Sequence, residues 1–202
     1  MFKRGQRVAI GASGGKDSTV LAYVLSTLNK RYDYGLDLYL LSIDEGIVGY
    51  RDGSLETVKQ NSIDYQLPLV IYSYKELFGY TMDEIVTQTL DESGYTKACS
   101  YCGVFRRQAL NIGAERSHAD LIATGHNADD NAETGFFSCL FCNEKSDASL
   151  QTASVNDKNR EMNQSLCYQK EIVLYAHFKK LLYFSIECSY AKFGYRGNSS
   201  FF

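Results

Sequence analysis

Tryptophan is absent from these 202 residues, proline occurs once and histidine three times. So little proline, with 16 scattered glycines, argues against a disordered tail or a fibrous repeat. No apolar run approaches the ~20 residues that a membrane-spanning helix needs. Met1-Phe2-Lys3-Arg4 leads straight into a short apolar stretch, without the apolar core of a signal peptide, so a cytoplasmic setting is expected. A strong net charge is missing too: 21 Lys/Arg against 24 Asp/Glu leave −3, which does not announce a nucleic-acid binder. The six cysteines are expected as thiols in such a compartment, so close pairs among them read as metal, cluster or redox sites rather than disulfides.

What is present is organised. The length suits one domain with a substantial core. Residues 1–134 hold 13 basic and 18 acidic side chains, whereas 135–202 hold 8 and 6. The late basic excess, around Lys170, Lys179, Lys180, Lys192 and Arg196, is interleaved with Tyr168, Tyr175, Tyr183 and Tyr190. That mixture suits phosphate contact and base stacking, or equally a solvated helical face beside core tyrosines.

Val8-Ala9-Ile10 is a short apolar run of the kind a central parallel strand requires. It ends in Gly11-Ala12-Ser13-Gly14-Gly15-Lys16-Asp17-Ser18, after which Val20, Leu21, Val24, Leu25 and Leu28 recur at helical spacing. The glycines let the backbone turn and approach a ligand. Unpaired amides at the helix start, the Lys16 charge and the Ser13 and Ser18 hydroxyls together match a diphosphate or triphosphate. A Walker loop would need glycine at Ile10 and Ser or Thr at Asp17, and the run supplies no Gly-x-Gly-x-x-Gly dinucleotide fingerprint.

Further strands are predicted over residues 36–43, 67–71 and 120–124, with helices over about 54–65, 82–90, 102–118 and 171–183. Alternating strands and helices predict a doubly wound parallel sheet with ligands at the strands' carboxyl ends. Asp44-Glu45-Gly46 and Gly125-His126-Asn127-Ala128-Asp129-Asp130 then share an edge with the glycine loop. Asn127 is expected to cap the helix that follows it. The acidic residues there suit a magnesium ion or simply a helix N-terminus. Residues 135–166 lack large apolar anchors and read as an insertion or loop.

Cys99-Ser-Tyr-Cys102, followed by Gly103-Val-Phe-Arg106-Arg107, places two thiols at a helix start. They could hold a metal or cluster, do redox work, or be buried structural thiols, and the helix end is expected to favour the thiolate. Arg106 and Arg107 cannot both face inward. Cys139 and Cys142 repeat the spacing but read as incidental.

SGGKDSTVLAYVL, IDEGI with Tyr50-Arg51, CSYCGVFRRQAL, ATGHNADDNAET and KEIVLYAHFKKLLYFSIECSY with YRG together resemble the ATP-binding subunits of cytoplasmic tRNA 2-thiolation. That family is related to the two-thiocytidine tRNA enzymes and tRNA-Ile lysidine synthetase. The resemblance covers residues 1–134 and about 168–197. It implies an adenine-nucleotide α-hydrolase-like (PP-loop, Rossmann-like) fold over 1–134, a divergent stretch over 135–167, and a helical part of the same domain over 168–202. It also implies adenylation of the wobble uracil C2 oxygen, release of pyrophosphate, and displacement of AMP by sulfur.

By position, Gly11, Ala12, Ser13, Gly14, Gly15, Lys16, Asp17, Ser18, Ile43, Gly125 and Asp130 are implied to hold ATP. Asp17 and Asp130 would manage Mg2+ or proton movement, and Arg106 would stabilise phosphate charge. Cys99 and Cys102 would be two of three ligands to a [4Fe–4S] cluster. Implied partners are tRNA, a sulfur-carrier protein, a second thiolation subunit and a second copy of the chain, with no membrane.

The chain also departs from the pattern. The family's flanking cysteine-rich modules have no counterpart in these residues, and Gly135-Phe-Phe-Ser-Cys-Leu replaces the expected Val-x-x-Asn-x-Leu-Arg-Gly-Asp. Aligned back from Tyr168, the third cluster cysteine is expected at Glu161, with Cys167 six residues away. A catalytically compromised ATP-binding or scaffold subunit, or an ATP-pyrophosphatase acting on a small metabolite, are the competing expectations.

Overall fold

The computed structural model describes residues 2–90, 98–133, 160–164 and 167–191, with the backbone alone at 160–164. Its elements are β1 (Arg7–Gly11), α1 (Lys16–Tyr32), β2 (Asp37–Asp44), α2 (Arg51–Tyr65), β3 (Leu69–Ser73), α3 (Tyr74–Phe78), α4 (Met82–Thr89), α5 (Ala98–Arg116) and β4 (Leu121–Asn127). A helix, α6, is described over residues 128–133. β5 (Arg160–Gln164) and α7 (Gln169–Lys179) follow.

Five parallel strands stand in the order β3-β2-β1-β4-β5. The strand sequences explain why both faces are covered. Val8, Ile10, Leu38, Leu40, Leu121 and Ala123 pack in one core with Leu21 and Ala22 of α1 and Val58 of α2. Their neighbours Ala9, Tyr39, Leu41 and Ile122 pack in another with Ala114 of α5. Apolar residues at successive positions, not alternate ones, are what a doubly covered parallel strand requires. The expected doubly wound α/β class is therefore the observed one. The strand order reverses between β1 and β4, the place where open α/β sheets bind ligands.

Boundaries differ from the periodicity at two places. α5 begins by Ala98, so Cys99 as well as Cys102 lies inside the helix rather than before it. α7 stops at Lys179 because Lys180 turns left-handed (φ 52) and its N–H closes on the carbonyls of Ala176 and His177. Helical spacing continues past that point, but the helix does not. The stretch expected to be an insertion contributes β5, registered with β4 from Leu121↔Arg160 to Thr124↔Asn163. Its polar composition gave no apolar signal because an edge strand needs only backbone pairing on one side. Cys139 and Cys142 lie outside the described residues.

Candidate functional site

The β1–α1 turn is built from its own side chains. The Ser13 N–H donates to Ser18 Oγ (3.3 Å), and the two hydroxyls stand 3.2 Å apart. Ser18 Oγ donates to the Gly15 carbonyl (3.0 Å), and the Gly15 N–H reaches Ser13 Oγ (3.4 Å). Gly14 has φ +75, and a Cβ there would lie 2.8 Å from the Ser54 carbonyl oxygen. Glycine is required at that point by conformation and by space. Ser54 Oγ in turn donates to the Ser13 carbonyl (2.9 Å), so α2 buttresses the loop. No side chain caps Gly15 at the start of α1, which leaves amides directed outward at the positive end of the helix dipole.

Gly125 permits a second close approach at the site. A Cβ on it would meet the Ser18 amide nitrogen at 2.9 Å, so β4 and the start of α1 touch backbone to backbone. Asn127 caps α6 as expected: its Oδ1 accepts from the Asp130 N–H (3.0 Å), and Asp130 Oδ2 accepts from the Asn127 N–H (3.1 Å). This exchange brings Asp130 into the field of Asp17. Burial first, and then the Asp130 charge, raise the Asp17 pKa, with the Lys16 ammonium at 3.6 Å opposing. Asp17 Oδ1 is buried with no hydrogen-bond partner.

A cleft of about 210 Å³ opens over these groups. Eight of the expected ATP contacts line it (Gly11, Ala12, Ser13, Asp17, Ser18, Ile43, Gly125 and Asp130), and Gly14, Gly15 and Lys16 complete the loop beneath. Arg106 lines it too, while Arg107 turns away to the surface, where its Nε donates to the Gly103 carbonyl.

Arg106 is not free to serve phosphate alone. Its Nη2 lies 2.7 Å from Glu45 Oε1, whose side chain is 9% exposed, and 3.6 Å from Cys102 Sγ. Burial by itself would lower the Arg106 pKa, and the Glu45 carboxylate reverses that, holding the guanidinium charged. Asp44 is held likewise by Arg51 at 2.7 Å. Glu45, Tyr50, Ser54 and Thr124 are cleft residues that motif reading did not assign. The place of Asp44-Glu45 at a strand end hinted at one of them, Glu45. His126 lines the cleft with its Nδ1 3.0 Å from Thr124 Oγ1.

The thiols form a second group, which Arg106 also touches through Cys102. Cys188, quoted in the ECSY block without a role, packs in the same cluster as Cys102, near Tyr74, Met82 and Tyr190. Cys99 Sγ donates to the Tyr190 carbonyl (3.3 Å). Burial, followed by the neighbouring Cys102 and Cys188 thiols, raises the Cys99 pKa against the pull of Arg106, so the expected helix-end depression is overruled. Burial raises Cys188 as well. Glu161, where alignment placed a third cysteine, lies in β5 opposite Ile122, and Cys167 is exposed. Among the described residues, no three Cys, His, Asp or Glu side chains converge on the geometry of a single ion. A cluster binds each thiolate on a different iron, so its ligands stand farther apart than those of one ion.

This sheet order, with a glycine loop on a helix start at the reversal point and the carboxylates of Asp17 and Asp130 beside it, defines an α/β domain of the class suited to the phosphates of a nucleotide. The chain belongs to the PP-loop domain family, which matches residues 2–185. It is 57% identical over 203 aligned positions to cytoplasmic tRNA 2-thiolation protein 1 of Eremothecium gossypii, covering 98% of this chain and 53% of that one. It is 56% identical over 206 positions to the protein of the same name from Drosophila virilis, covering 100% and 59%. The chain thus spans between half and three fifths of the curated relatives it matches. Among solved structures, the U34-tRNA thiolase NcsA from Methanococcus maripaludis, with its [4Fe-4S] cluster, superposes with a TM-score of 0.76 at 29% identity, covering 93% of this chain and 61% of that one. Phosphoadenylyl-sulfate reductase from Candida auris shares the fold, with a TM-score of 0.53 at 12% identity, covering 91% and 81%. Among the described residues no helix is long and apolar enough to cross a membrane.

Proposed function

We propose that this chain is the ATP-using part of a tRNA 2-thiolation enzyme acting on a wobble uridine. One observation carries the reading: the nucleotide cleft and a group of three thiols meet at a single guanidinium, Arg106, which touches Glu45 in the cleft and Cys102 in the thiol group. An ATP-pyrophosphatase acting on a small metabolite has no use for the second group.

The α1 amides, Ser13, Ser18 and Lys16 bind the phosphates that leave as pyrophosphate. Asp17, with an unpartnered buried oxygen beside Asp130, has the donor chemistry for Mg2+, which would bridge carboxylate and phosphate oxygens. Ile43, Tyr50 and Leu110 give the cleft an apolar wall suited to the adenine ring. Once the uracil C2 oxygen is joined to the α-phosphorus, AMP becomes a leaving group that a sulfur nucleophile can displace. Arg106 stands where charge develops on that phosphate, and Glu45 fixes its position.

Three thiols, Cys99, Cys102 and Cys188, fit a [4Fe–4S] cluster in number and donor type, and the third of them argues against a compromised subunit. Such a cluster would supply an iron that presents the sulfur. We also assign residues 1–134 to the ATP-binding domain, 135–167 to a divergent stretch that includes β5, and 168–202 to the same domain, since Ile172 and Ala176 of α7 pack on Val20 of α1. A cytoplasmic location follows the relatives' names. Partners of the complete protein would be tRNA, a sulfur carrier, a second subunit and a second copy of the chain.

The test is turnover by the chain after anaerobic reconstitution with iron and sulfide. Unmodified tRNA should elicit AMP and pyrophosphate from ATP, together with thiolated nucleoside. Turnover to ADP, or AMP formation at the same rate without RNA, overturns the reading.

A further inference from the structure

Beyond α7 the chain crosses the molecule without helix or strand from residue 181 to 188 and holds to it at separate points. Leu181 packs with Val20 and Ile172. The Phe184 N–H donates to the Gly14 carbonyl (2.8 Å), and its ring stands edge-on to Tyr50 with centroids 5.5 Å apart. That ring occupies the space where Gly53 lacks a side chain: a Cβ there would lie 2.4 Å from it. Cys188 then joins Cys102 in the core beneath α4 and α5. Tyr190 ends the strap, accepting from Cys99 Sγ with its carbonyl and donating from its hydroxyl to Asp83 Oδ1 at 2.7 Å. Between these anchors Leu182 and Ile186 are 66% and 64% exposed, so the strap is held by its anchors and not by burial of its length.

We propose that Phe184 is a positioning residue for the phosphate loop, and that the strap carrying it couples occupancy of that loop to the placement of Cys188 and Cys99. The inference rests on the loop being the nucleotide site proposed above. Gly14 is the loop residue with the left-handed backbone, so the carbonyl that Phe184 holds reports directly on loop conformation. Cys188 lies four positions after Phe184, a span of at most about 14 Å when extended. With both ends anchored, a shift at Phe184 passes along the strap to the thiol. An anion that sets the loop therefore selects one arrangement of the thiol group, and by linkage the filled thiol group favours anion binding.

The experiment uses the full chain, reduced and free of iron, with inorganic pyrophosphate as the probe because it fills the loop without reaching the thiols. Cysteine alkylation by N-ethylmaleimide is followed residue by residue by mass spectrometry, with the exposed Cys167 as the internal reference. Saturating pyrophosphate should change the Cys188 rate at least about fivefold while leaving Cys167 unchanged, in line with ordinary coupling factors. Phe184→Ala should abolish that difference while still binding pyrophosphate in calorimetry, and Gly53→Ala, which displaces the ring from the other side, should do the same. Should Phe184→Ala not fold, Gly53→Ala and Phe184→Leu decide. Pyrophosphate binding with an unchanged Cys188 rate overturns the inference alone, as does protection that survives in the variants. Failure of both pyrophosphate and ATP to bind the unaltered chain overturns the nucleotide reading and the inference together.

Discussion

Replacing Gly14 by alanine should damage both stability and nucleotide binding, and the structure separates two causes. The first is conformational: at φ +75 an L-residue carries a strain of about 1–2 kcal/mol. The second is steric: the new Cβ would stand 2.8 Å from the Ser54 carbonyl oxygen, a backbone atom of α2 that cannot swing aside. Relief requires the loop to move off α2, which breaks the Ser54–Ser13 hydrogen bond, a further loss of about 1 kcal/mol. A total of about 2–3 kcal/mol corresponds to a fall in Tm of roughly 4–12 °C for a chain of this size. The matched control is Gly79→Ala, where φ is +83 but nothing lies within 4 Å of the new methyl. It should lose only the conformational part and leave ATP affinity intact. Thermal unfolding and calorimetric ATP titration of both variants provide the assay, and Gly14→Ala should weaken ATP at least about tenfold. If the two variants have the same Tm and the same affinity, the loop is not wedged against α2 and the reasoning fails.

Asp17→Asn should raise the Tm of the nucleotide-free chain, increasingly so as pH rises from the ordinary aspartate value of 3.8 towards neutrality. Burial raises the native Asp17 pKa, so the native state holds a proton that the unfolded state has released. Stability contributed at low pH is therefore lost as pH climbs through the native pKa, and asparagine does not titrate; a pH-independent difference would contradict this. The same variant should lose Mg2+-dependent ATP turnover. Cys188→Ser should lower the iron and sulfide bound per chain on anaerobic reconstitution, with less cluster absorbance, while ATP affinity is retained; unchanged iron content would remove Cys188 from the ligand set. Tyr74→Phe deletes the hydroxyl that donates to the Cys102 carbonyl (3.1 Å) from a fully buried ring. It should cost about 0.5–1.5 kcal/mol in denaturant unfolding.

The local order of residues determined much of this protein. Continuous apolar runs at 8–10 and 38–41 specify strands covered on both faces, and SGGKDS at a strand-to-helix junction matches a backbone that cradles phosphate. Both are properties of neighbours in the chain, where spacing and stereochemistry suffice. β5 was invisible because an edge strand is made by hydrogen bonds to β4 and not by side-chain pattern. The end of α7 was misread because periodicity does not record that Lys180 turns left-handed. Helix geometry let only one of Arg106 and Arg107 face inward and the resemblance pointed to Arg106, but its pairing with Glu45, sixty-one positions away, exists only after β2 and α5 pack together. Cys188 is the clearest case. Counting along the chain placed a third thiol near Glu161, whereas folding brings residue 188 to residues 99 and 102 by way of a strap that touches the phosphate loop on its path. Chain spacing fixed the nucleotide loop, and only the tertiary structure, by closing an 86-residue separation between Cys102 and Cys188, decided which sulfurs stand beside it.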